Sequence, residues 1–213
     1  MEIAVVDYGM GNLRSVTKAL EHVAPDVQIT LTSDPAAVAR ADKVVFPGQG
    51  AMRDCVRELD ERGLRQAVLE AAASKPFFGI CVGAQLLFQY SEEGGNTQAL
   101  GVFPGEVLRF PAAQMVDAHG AKLKVPHMGW NTVRQTRAHP LWAGVAADAR
   151  FYFLHSYYMH TPLAELTTGE SDYPFPFTAA VARANIFATQ FHPEKSHSAG
   201  LQLLKNFVAW NGD

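Results

Sequence analysis

"FFGICVGAQLLFQY", residues 77–90, sets a cysteine between two glycines, after a short apolar run and before a stretch of helical character. Gly79-Ile80-Cys81-Val82-Gly83 has the G-x-nucleophile-x-G form of a tight strand-to-helix elbow. Such a turn lifts its central residue into a strained conformation, and bulky neighbours two residues away on either side would collide with it or with a substrate. At the start of a helix running from about Val82 to Tyr90, the sulfur would face unpaired backbone N–H groups and the positive end of the helix dipole, both of which favour thiolate. The Val82 N–H would also serve an oxyanion. On these five residues alone, a cysteine packed at a sheet edge fits as well as a nucleophile.

The flanking sequence supplies the frame for that elbow. "EIAVVD" (2–7) is a β-branched apolar run, and "GNLRSVTKALEHV" after it places Leu13, Val16, Leu20 and Val23 at helical spacing. "VQITLT" (27–32) and "KVVFPG" (43–48) repeat the strand signal, the second stopped by Pro47-Gly48. "AMRDCVRELDERGLRQAVLEAAA" (51–73) reads as helix interrupted near Gly63, and "PFFGI" (76–80) is the strand entering the elbow. Apolar strands alternating with helices predict a parallel sheet covered on both faces. Past Gly94-Gly95 the texture changes. "GVFPGEVLRF" (101–110), "KLKVPHMGWNTV" (122–133), "ARFYFLHSYYMH" (149–160) and "FTAAVARANIFATQFHPE" (177–194) are strand-like segments broken by turn residues, before a closing helix "SAGLQLLKNFVAW" (198–210). The expected fold is therefore α/β: one doubly wound domain over residues 1–213, with a mixed, mainly parallel central sheet and antiparallel β-rich additions in the second half.

Composition bounds the function. A chain of 213 residues with 48% hydrophobic residues is long enough for a substantial core. Its net charge of -3 has no basic patch for nucleic acid and no polybasic run for a membrane surface, so neither partner is expected. No window approaches the ~18 consecutive apolar residues of a membrane-spanning helix, and the N-terminus lacks a leader pattern. Two cysteines, Cys55 and Cys81, are too few for a disulfide framework, which predicts a reduced, cytoplasmic setting. Cys55 falls in step with Met52, Val56 and Leu59, the inward stripe of a helix, and reads as a small buried hydrophobe.

A thiolate nucleophile needs a proton carrier, which sorts the eight histidines. His22, His119 and His139 stand beside turn or helix-end signals and read as surface residues. His127, His155, His160 and His197 stay open as packing, binding or partner-facing residues. His192 is delivered by the strand "IFATQF" (186–191) to Pro193 and Glu194. Proline biases the residue before it towards extended backbone, where i and i+2 share a side, so Glu194 can reach the His192 ring. A carboxylate on one ring nitrogen fixes the tautomer and leaves the other nitrogen for the thiol, completing a Cys-His-Glu triad. A strand end with a surface His and a solvated Glu is the competing reading. A zinc site from Cys81, His192 and His197 is disfavoured because neither C-x-x-C nor H-E-x-x-H is present; no metal or cofactor is expected. "PGQGAM" (47–52) adds a glycine-bounded loop whose amides could approach a ligand closely, as the second donor of an oxyanion hole requires. It too follows a strand, and ligands of open α/β sheets collect at the carboxyl ends of strands.

With these pieces in order, the chain resembles the class I glutamine amidotransferases end to end. The G-x-C-x-G elbow with Gln85 just after it, the PGxG loop and the terminal His-Pro-Glu carry the resemblance. "DYGMGNLRSV" (7–16), "VPHMGWN" (125–131) and "LHSYY" (154–158) further look like the glutaminase subunits of imidazole glycerol phosphate synthases, enzymes of histidine biosynthesis. The resemblance implies hydrolysis of glutamine to glutamate and ammonia, and transfer of ammonia to a cyclase subunit of (βα)8-barrel fold in a heterodimer. It implies Cys81 as nucleophile, His192 as acid and base and Glu194 as its orienting partner. It also implies oxyanion donors at Val82 and in the 48–50 loop, at Gln49, where relatives often carry an apolar residue. Gly50, Gln85, Glu93, Ser156 and Tyr157 match positions that bind glutamine, Glu93 being suited to the substrate ammonium. Asn12, His127 and Trp130 fall on the face that meets the cyclase in the family. The rivals are a glutaminase of another pathway, a cysteine peptidase and a catalytically silent binding module; "VPHMGWN", Gln85 with Glu93, and the complete triad argue against each in turn.

Overall fold

The computed structural model describes residues 1–117 and 119–213. The first half alternates as expected: β1 (Glu2–Val6), α1 (Leu13–Val23), β2 (Gln28–Thr32), α2 (Pro35–Arg40), β3 (Lys43–Gly48), α3 (Met52–Glu61), α4 (Arg65–Ser74), β4 (Phe77–Cys81) and the single turn α5 (Val82–Gln85). The second half holds β5 (Tyr90–Ser91), β6 (Thr97–Gln98), β7 (Glu106–Arg109), β8 (His127–Thr132), β9 (Arg134–Gln135), β10 (Arg150–His155), β11 (Tyr157–His160), β12 (Thr167–Asp172), β13 (Pro176–Arg183), β14 (Ile186–Thr189) and α6 (His197–Ala209).

The main sheet runs β2-β1-β3-β4-β14-β13-β11-β7-β5-β6, with β12 and then β9 attached beyond β13. β2, β1, β3, β4 and β14 are parallel to one another. From β14 to β13, β11 and β7 the pairing turns antiparallel. β8 and β10 form a separate antiparallel pair. The chain steps from β1 outward to β2 and then back across β1 to β3, so right-handed crossovers send α1 and α2 to opposite faces. α1 packs with α6, and α2 with α4, which covers both faces. Every residue of β3, β4 and β14 is consequently buried, whereas the edge strand β2 is only partly so.

Three local outcomes depart from the sequence reading. The stretch after the elbow is helical only to Gln85; Leu86, Leu87 and Phe88 are fully buried and turn the chain into β5. A segment buried on all sides has no amphipathic face to favour a longer helix. α2, β5, β6, β9 and β12 went unread. The glycines of the elbow also act differently: a Cβ on Gly83 would overlap the Phe46 carbonyl of β3, and one on Gly79 would press on Ala188 and Ala84. They let the elbow pack against its neighbouring strands, and that is their steric role here.

The carboxyl end of α6 is tied to the sheet by Lys43, a buried lysine whose Nζ donates to the carbonyls of Phe207 (3.3 Å), Val208 (2.7 Å) and Trp210. A cation there satisfies helix-end carbonyls and complements the helix dipole. Lys43→Met keeps the apolar stem and strips the donors. It should destabilise the fold by roughly 2–4 kcal/mol, read as a lowered denaturation midpoint with an unchanged denaturant slope.

Candidate active site

β3, β4 and β14 end side by side. Gly48 is paired with Cys81 across β3 and β4, and Thr189 with Ile80 across β14 and β4. Cys81 therefore tops the central strand, in the left-handed region at φ 55° and ψ -115°, and its residue is 3% exposed. A non-glycine residue held there costs on the order of 1–3 kcal/mol, which the surrounding packing must offset.

A cavity of about 250 Å³ opens above this point and is lined by Gln49, Gly50, Cys81, Val82, Gln85, Glu93, Ser156, Tyr157 and His192, together with Pro126, Leu154 and His155. Nine residues singled out from the sequence thus share one cavity, whose size suits a small substrate. Glu194 sits behind the cavity wall. His192 Nδ1 lies 2.9 Å from Glu194 Oε1, with both side chains buried. The contact arises from a 3-10 turn at Pro193–Lys195 after an extended His192, so the proline acts through a turn and not through continued strand. β14 likewise stops at Thr189, and His192 is held instead by its N–H to the Tyr152 carbonyl at 2.9 Å. Burial opposes charge on His192, but the adjacent Cys81 sulfur and the Glu194 carboxylate outweigh it and raise its pKa to about 10. Among the described residues, Glu194 Oε2 has no hydrogen-bond partner.

The loop after β3 is anchored from below. Cys55, fully buried on α3 as its stripe predicts, donates from Sγ to the Gln49 carbonyl at 3.5 Å. That ties the carbonyl to the core, and in a trans peptide the Gly50 N–H then points away from Cys55. Gly50 needs its glycine, with φ at +102°. Burial pushes the Cys55 thiol up to about 12, which marks it as an unreactive neutral donor. Across the cavity, Glu93 Oε2 accepts from the Met52 N–H at the start of α3 (2.7 Å), so a carboxylate is fixed at the rim. The Gln85 amide nitrogen donates to the Tyr157 carbonyl and to Gln190 Oε1, both at 2.9 Å. Its hydrogens are thereby occupied, and what it offers a ligand is its oxygen.

His127 and His155 form a buried pair, with 2.9 Å between His127 Nδ1 and His155 Nε2. His155 Nδ1 is 2.8 Å from the Tyr157 carbonyl, which can only accept. His155 Nε2 must then accept from His127 Nδ1–H, and His127 Nε2 accepts from Asn131 Nδ2 at 3.3 Å. Both rings are neutral: burial lowers His127 to about 4, and burial with the neighbouring His127 lowers His155 to about 3. This corrects the expectation that His127 faces a partner. Side chains alternate along β8, so His127 points inward while Met128 and Trp130 are exposed. Trp130 stacks on the exposed His197, with centroids 4.8 Å apart, and Asn12 is half-buried at the start of α1. His139, expected at the surface, is half-buried against Phe187 and Trp210, and burial lowers it to about 4. His22 and His119 are exposed. The residue that sequence reading passed over is Gln190, whose signal was an amide inside the otherwise apolar "IFATQF".

A cysteine on a strand-end elbow beside a buried His-Glu pair and a glycine loop is the arrangement expected of an amidotransferase, and the chain belongs to the class I glutamine amidotransferase family, whose model matches residues 4–210. Within that family its relatives include proteins named imidazole glycerol phosphate synthase subunit HisH. That of Aromatoleum aromaticum is 63% identical over 98% of both chains, and that of Thiobacillus denitrificans is 62% identical over 99% of this chain and 92% of its own. Among solved structures, a glutamine amidotransferase superposes with TM-score 0.70 at 17% identity over 97% of both chains. The glutaminase domain of Trypanosoma brucei CTPS, with bound acivicin, gives 0.65 at 17% over 98% of this chain and 94% of its own. At those identities the likeness establishes the fold.

Proposed function

We propose that the chain hydrolyses L-glutamine to L-glutamate and ammonia as the glutaminase subunit of an imidazole glycerol phosphate synthase, and hands the ammonia to a cyclase subunit. The observation that carries the chemistry is the buried His192–Glu194 pair at 2.9 Å beside Cys81, in one cavity.

In this reading the Cys81 sulfur attacks the side-chain amide carbon of glutamine, and the Val82 N–H with an amide of the 48–50 loop holds the oxyanion. His192, charged while the thiolate and Glu194 flank it, protonates the departing ammonia. Neutral His192 then takes a proton from water attacking the thioester, and Glu194 keeps the ring in one tautomer throughout. Glu93 takes the substrate ammonium with the oxygen that does not cap α3, and Gln85, Gly50, Ser156 and Tyr157 complete the cradle. Ammonia released to neutral water is protonated and loses its nucleophilicity, so a sealed handover to a partner is needed. The exposed Met128 and Trp130 on β8 supply an apolar face for that partner, with Asn12 at its edge. The names of the near relatives support the same assignment.

Ammonia release from glutamine should be measured for the chain alone, with the barrel cyclase, and with the cyclase plus its nucleotide ligand. The expected result is turnover that rises at least about tenfold in the full complex, a barrier change of about 1.4 kcal/mol. No ammonia in any arm overturns the glutaminase assignment, and ammonia that the cyclase leaves unchanged overturns the pathway assignment.

A further inference from the structure

Gln190 is fully buried immediately after β14, between Thr189 and Phe191, and the reaction as described does not use it. Its amide is oriented without ambiguity. The Tyr157 carbonyl accepts, so the end of Gln85 that meets it is the nitrogen; that nitrogen also meets Gln190, whose facing atom must be oxygen. The Gln190 Nε2 hydrogens are thereby turned to Cys81, with Nε2 3.9 Å from Sγ. The anchor extends further, because the same Tyr157 carbonyl takes His155 Nδ1, which fixes the neutral His155–His127–Asn131 chain reaching β8.

We propose that Gln190 is a further catalytic residue of the glutaminase reaction, an uncharged N–H donor that stabilises the Cys81 thiolate and that Gln85 and the Tyr157 carbonyl hold in place. The inference rests on the glutaminase reading above. The groups around the sulfur make the need for a donor plain. His192, backed by Glu194, receives the proton on Nε2 and is the cation beside it among the described residues. The Leu154 carbonyl, 3.9 Å from Sγ, accepts from the thiol and repels the thiolate. Tyr8 and Cys55, buried beneath the elbow, are close enough to couple electrostatically to Cys81, and burial keeps both neutral; Cys55 donates to the Gln49 carbonyl, and among the described residues the Tyr8 hydroxyl has no hydrogen-bond partner. When the thioester breaks, His192 already carries the proton taken from water, so the sulfur that re-forms faces an imidazolium, and the Gln190 N–H is an uncharged donor that points at it as well.

The test uses the complete chain and two readouts, Cys81 alkylation by iodoacetamide as a function of pH and ammonia release in the cyclase complex, with Cys81→Ala as the alkylation blank. Gln190→Met fills the same volume without the donor, and it should shift the alkylation profile upward by about one pH unit, a tenfold loss of rate at fixed pH below the midpoint. kcat should fall by about tenfold, while KM for glutamine changes less than about threefold. Gln190→Glu differs from the native side chain by one group and turns an acceptor on the sulfur, so it should shift the profile further and carries the same decision if the methionine variant does not fold. An unshifted profile in either folded variant overturns the proposal. A shifted profile in a chain whose native form releases no ammonia upholds the donor contact and overturns the glutaminase reading instead.

Discussion

Cys81→Ala should lose glutamine hydrolysis by at least about 10⁴-fold while the chain still folds and still binds the cyclase. The loss is large because Cys81 is the one thiol among the described residues that line the cavity. Cys55, the second thiol, is fully buried, faces Gln49 and is held neutral by burial, so Cys55→Ala should leave turnover within a few-fold. Cys81→Ser should resemble Cys81→Ala, since a hydroxyl in the same place stays protonated where a thiol ionises. The elbow adds a second, opposite effect. At φ 55° a glycine is relaxed where cysteine or alanine is strained, so Cys81→Gly should be more stable than Cys81→Ala by about 1 kcal/mol, although equally inactive. Ammonia release at saturating glutamine, paired with thermal melts, reads both. Residual turnover within tenfold of native in the alanine variant would mean that the thiol is not the nucleophile.

What the sequence made legible was the part governed by local rules. The elbow, the parallel strands β1, β3 and β4 and the pairing of His192 with Glu194 all depend on residues within a few positions of each other, so spacing and backbone preference suffice. Even so, the His-Glu contact was reached through the wrong geometry, a turn in place of continued strand. α2 was missed although Asp34-Pro35 is a cap followed by a first-turn proline, with Asp34 Oδ1 accepting from the Ala36 N–H at 2.9 Å. β12, "TTGESD", carries no apolar alternation; Thr167, Thr168 and Ser171 are buried because β13 and β9 cover them, which is tertiary information. His127, His155, Gln85 and Gln190 come from four separate segments. Their hydrogen-bond order follows only once the sheet brings the Tyr157 carbonyl between them, and that is why the sequence left His127 open between packing, binding and partner-facing roles and did not read Gln190 at all.

Glu194→Gln separates catalysis from stability. The carboxylate is buried, holds His192 through Oε1 and leaves Oε2 without a partner among the described residues. A buried charge satisfied on one oxygen is costly, and its compensation is the imidazolium beside it. Gln keeps an oxygen for Nδ1–H and places an uncharged amide where Oε2 stood, so the neutral tautomer survives while the imidazolium loses its counter-charge. Turnover should fall on the order of 10³-fold, since protonation of ammonia depends on that cation. Stability should respond with the opposite sign at high pH. The His192 pKa is raised from the ordinary 6.5 to about 10, so its favourable contribution is fully present below about pH 6.5 and is lost as pH rises through about 10. In acid the native pair should match or exceed the variant. Above pH 10 the native chain buries a carboxylate beside a neutral ring, the variant buries none, and the variant should melt higher. Melting curves across pH 6 to about 11 that stay parallel for the two chains would show that His192 and Glu194 do not share a charge in the folded state.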